Sequence, residues 1–148
     1  MAVSVKIANE EERKAAFDLR YKAFVIDEGV TEDEEFDALD KTATHIVALQ
    51  NGKVVGCCRI SEENGIGKIS RLVVDKYLRR QGISKEIVIF AELLLFQSCN
   101  MIVVHAHVYV QKLYTGLSYN VIGDQFVEDG SLVVRLEKQK PEISTMLL

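Results

Sequence analysis

The stretch from Ile69 to Ser84, ISRLVVDKYLRRQGIS, decides the fold. Its apolar run stops at Asp75, and a basic, glycine-containing turn then opens a long apolar helix. The N–H groups at a helix start have no partner inside the helix and sit at the positive end of its dipole, so a turn of this kind favours a nearby anion. Arg79, Arg80 and Lys85 add positive charge on the same loop. Two plainer readings stand beside this one: Ser84 as an ordinary N-cap, and Arg79 and Arg80 as solvated loop charges.

Upstream of that stretch, His45 to Gln50 and Lys53 to Ile60 flank Asn51-Gly52, the strongest short hairpin signal a sequence carries. A second turn, Glu62-Glu63-Asn64-Gly65, leads into a third strand, Gly67 to Val74. Earlier still, Ser4 to Ala8 alternates as a short strand. Asn9 then offers an N-cap with Glu12 three residues on, followed by Ala16, Leu19, Ala23 and Phe24 at helical spacing. Asp27 to Asp40, DEGVTEDEEFDALD, turns strongly acidic, with only Val30, Phe36, Ala38 and Leu39 to anchor it, and reads as a loop or a short mobile helix. Downstream, a helix from about Ile83 to Ser98 is apolar nearly all round and calls for burial against a sheet. A strand from Met101 to His107 and a short helix near Val110 to Leu117 follow. Two closing strands joined by Glu128-Asp129-Gly130 complete the order, and Pro141 ends the last of them. This is a mixed α/β sheet covered by helices.

The chain has 148 residues, 48% of them hydrophobic, which is about one typical domain and enough for a sizeable core; residues 1–148 read as one domain. Eighteen basic against 22 acidic residues, with no continuously basic face, argue against nucleic acid as a partner. The longest apolar stretch, Ile87 to Phe96, is interrupted by Glu92 and too short to span a bilayer, and the N-terminus lacks the apolar core of a signal peptide. A cytoplasmic location is expected. Cys57, Cys58 and Cys99 are odd in number and two are adjacent, so they read as reduced thiols packed as small apolar groups.

Arg79-Arg80-Gln81-Gly82-Ile83-Ser84 resembles the acyl-CoA motif Gln/Arg-x-x-Gly-x-Gly/Ala of the GCN5-related N-acetyltransferase (GNAT) superfamily, with serine in place of the last small residue. The resemblance runs from roughly Ala8 to Lys138. Leu19-Arg20-Tyr21-Lys22-Ala23-Phe24-Val25, Glu35-x-Asp37-x-x-Asp40, Ala43-Thr44-His45 and His105-Ala106-His107 resemble the small bacterial, ElaA-like branch. The resemblance implies a GNAT-like mixed, mostly antiparallel central sheet of about six to seven strands with helices on both faces. It also implies acetyl-CoA as co-substrate, an acetyl transfer to a small primary amine in a ternary complex, and no metal; it allows a homodimer. A pyrophosphate needs converging N–H donors, which residues 80–85 offer, and pantetheine amides want a strand edge. The implied cofactor contacts are Leu72, Val73 and Val74 on that edge, then Arg79, Arg80, Gln81, Gly82, Ile83, Ser84 and Lys85 in the turn.

Leu113-Tyr114-Thr115-Gly116-Leu117-Ser118-Tyr119 resembles the superfamily's Tyr-x-x-x-Gly-Phe, with Ser118 and Tyr119 replacing the final pair. The resemblance makes Tyr114 the acid that protonates the leaving CoA sulfur, over its competitors Tyr109 and Tyr119. A phenol suits that task because it keeps its proton at neutral pH. The acidic run is either a solvated lid or an attractor for a cationic amine. His105-x-His107 with His45 suggests a metal, but no carboxylate or cysteine is placed to complete it; His45 and His105 read instead as buried, hydrogen-bonded members of neighbouring strands, with a general-base role for one of them as the lesser alternative. Gly65-Ile66-Gly67-Lys68 lacks the upstream glycine and following Ser/Thr of a P-loop. The rivals to the enzyme are a non-catalytic acyl-CoA-binding protein and an acetyltransferase acting on protein lysines or N-termini.

Overall fold

The computed structural model describes residues 2–142. After β1 (Ser4–Ile7), helix α1 (Glu10–Arg20) starts where Asn9 caps it: the Asn9 side chain accepts from the Glu12 amide at 2.9 Å, and the Glu12 carboxylate accepts from the Asn9 amide at 2.9 Å. That reciprocal pair satisfies two amides a helix start otherwise leaves open. α1 continues into a π-helical segment, Tyr21–Asp27. The acidic stretch then forms α2 (Glu32–Glu35) and a 3-10 turn, Ala38–Lys41. Of the loop and the short helix expected there, short helical turns are what forms.

β2 (Thr44–Gln50), β3 (Lys53–Glu63) and β4 (Ile66–Val74) form the expected antiparallel meander. Asn51-Gly52 and Asn64-Gly65 both turn with positive φ at each residue, the form that matches strand twist. The second turn is therefore two residues long, not four. α3 (Ile83–Leu95), β5 (Met101–His107), α4 (Gln111–Thr115), β6 (Asn120–Glu128) and β7 (Ser131–Gln139) follow. α3 stops a turn short of the expected Ser98, and Ile89 and Leu93 on its outer face are exposed, so the helix buries one side rather than all of it.

The seven strands lie in the order β1-β2-β3-β4-β5-β7-β6, antiparallel throughout except where β4 meets β5. Strand alternation splits the core into two layers. Ile46, Ala48, Cys58 and Val74 face α3, where Ile87, Val88 and Ala91 pack on them. Val47, Cys57 and Val73 face α1 and Ala16. Cys57 and Cys58 thus sit in opposite layers, free and buried, and burial pushes both thiols up, Cys57 to about 12. They pack as small apolar groups in the two layers. Gly56 lets α3 come close, since a Cβ there would meet Ile87 Cδ1 at 2.9 Å.

β4 and β5 pair only from Ile66↔Met101 to Ile69↔Val104. Beyond that point the two strands are not paired with each other, although both continue, β4 to Val74 and β5 to His107. A bulge helps to part them: between Cys57 and Arg59 the ladder takes three steps on β4 against two on β3, with Arg71 in the left-handed region at φ 57°.

Candidate active site

The parted strands frame a cavity of about 570 Å3. Leu72 lines it from β4, Val104, His105, Ala106 and His107 from β5, and Tyr114 from α4; Phe24, Glu28, Glu34 and Asp37 roof it from the segment after α1. A smaller cavity of about 180 Å3 lies at the far end of β4, lined by Val74, Arg79, Arg80, Gly82, Ile83, Ser84 and Lys85. Of the sequence-derived cofactor residues, Leu72 therefore falls in the first cavity, and those seven in the second. Gln81 lines neither, and Val73 turns its side chain into the α1-side layer, so only its backbone faces outward from β4.

The turn itself is built as an anion site requires. Arg80 and Gly82 both take positive φ, 65° and 80°, and α3 opens on Gly82 with no side-chain cap. The plain N-cap reading of Ser84 therefore fails. The first helical bond recorded there runs from the Glu86 amide to the Gly82 carbonyl, which leaves the N–H groups of Ile83, Ser84 and Lys85 without an acceptor in the preceding turn. Arg79 donates Nε to the Val74 carbonyl at 3.3 Å, tying the turn to the end of β4.

Tyr114 is 2% exposed and meets Tyr119 edge-on at 5.2 Å. Burial, with Cys58 and Glu92 nearby, pushes its phenol above the ordinary range, so it is a protonated donor at any physiological pH. Tyr119 is buried too, its hydroxyl without a hydrogen-bond partner among the described residues, as befits a position the family pattern fills with phenylalanine. Tyr109 lies outside, its hydroxyl donating to Glu28 at 2.7 Å, and burial with that bond raises it to about 12. Ser118, where the pattern has glycine, keeps the left-handed turn at φ 72°.

Part of the acidic segment is tied into the protein, while Glu28, Asp33, Glu34 and Asp37 stay exposed at the cavity. Arg20, 1% exposed, donates Nε to Glu35 at 2.8 Å and Nη1 to Asp40 at 2.8 Å, and its guanidinium packs against the rings of both Phe17 and Phe36. Arg59 reaches Asp37 at 2.7 Å and Asp40 at 3.1 Å, and Arg71, turned by its bulge, donates to the Glu35 and Glu34 carbonyls. Burial pushes the Asp40 carboxyl up, but hydrogen bonds from Arg20 and Arg59 outweigh it and hold it below its usual range. Glu35, Asp37 and Asp40 are thus engaged within the protein, and this pairing is what the Arg20 and Glu35-x-Asp37-x-x-Asp40 motifs encode. Sequence reading marked both motifs without seeing that they bind each other. His45 belongs to the same network: it is buried, its Nε2 lies 2.9 Å from the Asp40 carbonyl, and burial lowers its pKa. It does not line the cavity. Among the described residues, no group of three or more His, Cys, Asp or Glu is placed to hold a metal, and no helix is long and apolar enough to cross a membrane.

Known proteins share this architecture. The family described as acetyltransferase (GNAT) domain matches residues 9–140. Over 138 residues the chain is 30% identical to a candidate acetyltransferase of Bacillus subtilis (strain 168), covering 90% of this chain and 94% of that one. The solved structure of a candidate N-acetyltransferase from Lactobacillus plantarum superposes with a TM-score of 0.87 at 25% identity, over 95% of this chain and 100% of that one. Escherichia coli ElaA superposes with a TM-score of 0.80 over 93% of this chain and 99% of that one; at 16% identity the likeness is one of fold.

Proposed function

Because the chain belongs to the GNAT acetyltransferase family, we propose that it moves an acetyl group from acetyl-CoA to a primary amine by direct attack in a ternary complex. The observation that carries this reading is the parting of β4 from β5 beyond Ile69↔Val104, with an uncapped helix start at one end of the gap and Tyr114 lining it. Acetyl-CoA supplies the activated acyl carbon and three anionic phosphate groups. The open amides of Ile83, Ser84 and Lys85, with Arg79 and Arg80, suit the pyrophosphate. The free edge of β4 at Leu72 to Val74 suits the amides of the pantetheine arm, which would lie as an added strand. An amide on that edge also suits the thioester oxygen, where negative charge develops on attack. Tyr114 then gives its proton to the departing sulfur.

Thiol release from acetyl-CoA, followed with a panel of amines, polyamines, aminosugars and peptides, tests the reading. Release that depends on an amine is expected. Acetyl-CoA bound with no release for any acceptor would overturn catalysis in favour of a non-catalytic acyl-CoA-binding protein.

A further inference from the structure

An ammonium cannot attack a thioester until it has lost a proton, so the reaction proposed above requires a base at the cleft. Resting on that reading, we propose that His105 is this base and that Glu128, carried by the β6–β7 hairpin, positions it. His105 is the first residue of β5 past the last pair with β4, so the backbone holds it at the apex of the gap. It lines the same cavity as Tyr114 and Glu128. Its Nδ1 stands 2.8 Å from Glu128 Oε2, and the Phe126 ring meets it edge-on, centroids 5.2 Å apart at 86°. A carboxylate can only accept, so in the neutral ring Nδ1 carries the hydrogen and Nε2 keeps its lone pair for an incoming ammonium proton. The imidazolium that forms stays beside the Glu128 charge.

Two further observations support the assignment. β6 is exposed along its whole length, so core burial does not account for it, yet it supplies both contacts to the one histidine. Between Ile122 and Phe126 it takes four steps against two on β7, with Gly123 at positive φ, a wide irregularity that resets where Phe126 and Glu128 fall. His107 lines the cavity as well, but neither of the other two histidines meets a carboxylate at hydrogen-bond distance. His45 is in the buried arginine network, and His107 stacks on Tyr109 with its Nε2 3.7 Å from Glu28. The charged groups that share the cavity with His105 are Asp129 beside Glu128 on the hairpin, Lys68 and Arg71 on β4, Arg59 on β3, and Glu28, Asp33, Glu34, Glu35 and Asp37 on the roof.

The protons balance. The ammonium has two more hydrogens than the amide keeps. One passes to His105 Nε2 and on to solvent, and the nitrogen then forms the C–N bond as the C–S bond breaks. The second, lost from the tetrahedral nitrogen, replaces the proton that Tyr114 gives to the sulfur.

The test compares wild type, His105→Gln and Glu128→Gln across pH 6 to 10 with the best amine, alongside calorimetry with acetyl-CoA. His105→Gln is expected to bind acetyl-CoA as wild type does, to lose roughly a hundred- to ten-thousandfold in kcat/KM for the amine near neutral pH, and to recover as pH approaches the amine's own pKa, where the free base needs no help. Glu128→Gln should show the same pH-dependent deficit at smaller size. Wild-type rates in His105→Gln, or a loss equal at every pH, would overturn the dyad while leaving acyl transfer intact. A wild-type protein that acetylates no amine would overturn both.

Discussion

Tyr114 shows how one side chain can be legible in sequence and still depend on its surroundings. The motif places a tyrosine four residues before a turn, and the fold buries that tyrosine at the edge of the cavity, where a raised pKa keeps its proton in place. Tyr114→Phe removes only the hydroxyl and leaves the ring packed on Tyr119. It should therefore keep acetyl-CoA affinity, measured by calorimetry, and lower kcat by roughly ten- to ten-thousandfold, the span of lost general acid catalysis. Wild-type kcat under conditions where chemistry limits the rate would remove it from the mechanism. The choice over Tyr109 and Tyr119 rests on the family resemblance, since only Tyr114 starts the pattern. That His45 is buried in an ion network while His105 lines the cavity was not visible, because both stand in short strands with similar neighbours.

At the scale of an element, the turn between β4 and α3 carries the phosphate argument. Gly82 sits at φ 80°, where an L side chain is strained, although a Cβ there would meet nothing within 4 Å. Gly82→Asp thus acts through backbone strain and a misplaced negative charge rather than through a clash, and it should abolish acetyl-CoA binding by calorimetry while the folded state survives. Arg79→Ala should weaken binding by about 1–3 kcal/mol, the worth of a charge-assisted hydrogen bond, and the effect should shrink with added salt. Unchanged affinity in both variants would move the phosphates elsewhere. Basic residues, glycine and an apolar helix in that order made the turn readable in the sequence, because capping and helix-dipole effects act between near neighbours along the chain.

For the whole molecule, the decisive contact is the arginine network that fastens the acidic roof to the sheet. Arg20 leaves α1 to meet Glu35 and Asp40, while Arg59 and Arg71 reach the same segment from β3 and β4. Arg20→Ala removes the shortest ion pairs of two buried carboxylates, leaving Asp40 to Arg59 at 3.1 Å and Glu35 to Arg71 at 3.4 Å, and should cost about 3 kcal/mol in urea unfolding. Arg20→Lys should rescue little, since an ammonium cannot make the planar set of bonds to both acids. A loss below about 1 kcal/mol would show the network to be incidental. Sequence alone determined what local physics controls: the alternating strands, the Asn51-Gly52 hairpin, the capped first helix and the basic glycine turn before α3. It determined the mixed sheet as well, since strand and helix periods differ. It left open whether the acidic run is a solvated lid or an attractor for an amine, because a carboxylate's partner can lie anywhere along the chain. Only the tertiary structure decided which charges are paired, how far β4 and β5 run together before parting, and which histidine meets a carboxylate at the gap. Each of these is a contact between residues distant in sequence, and no local propensity records it.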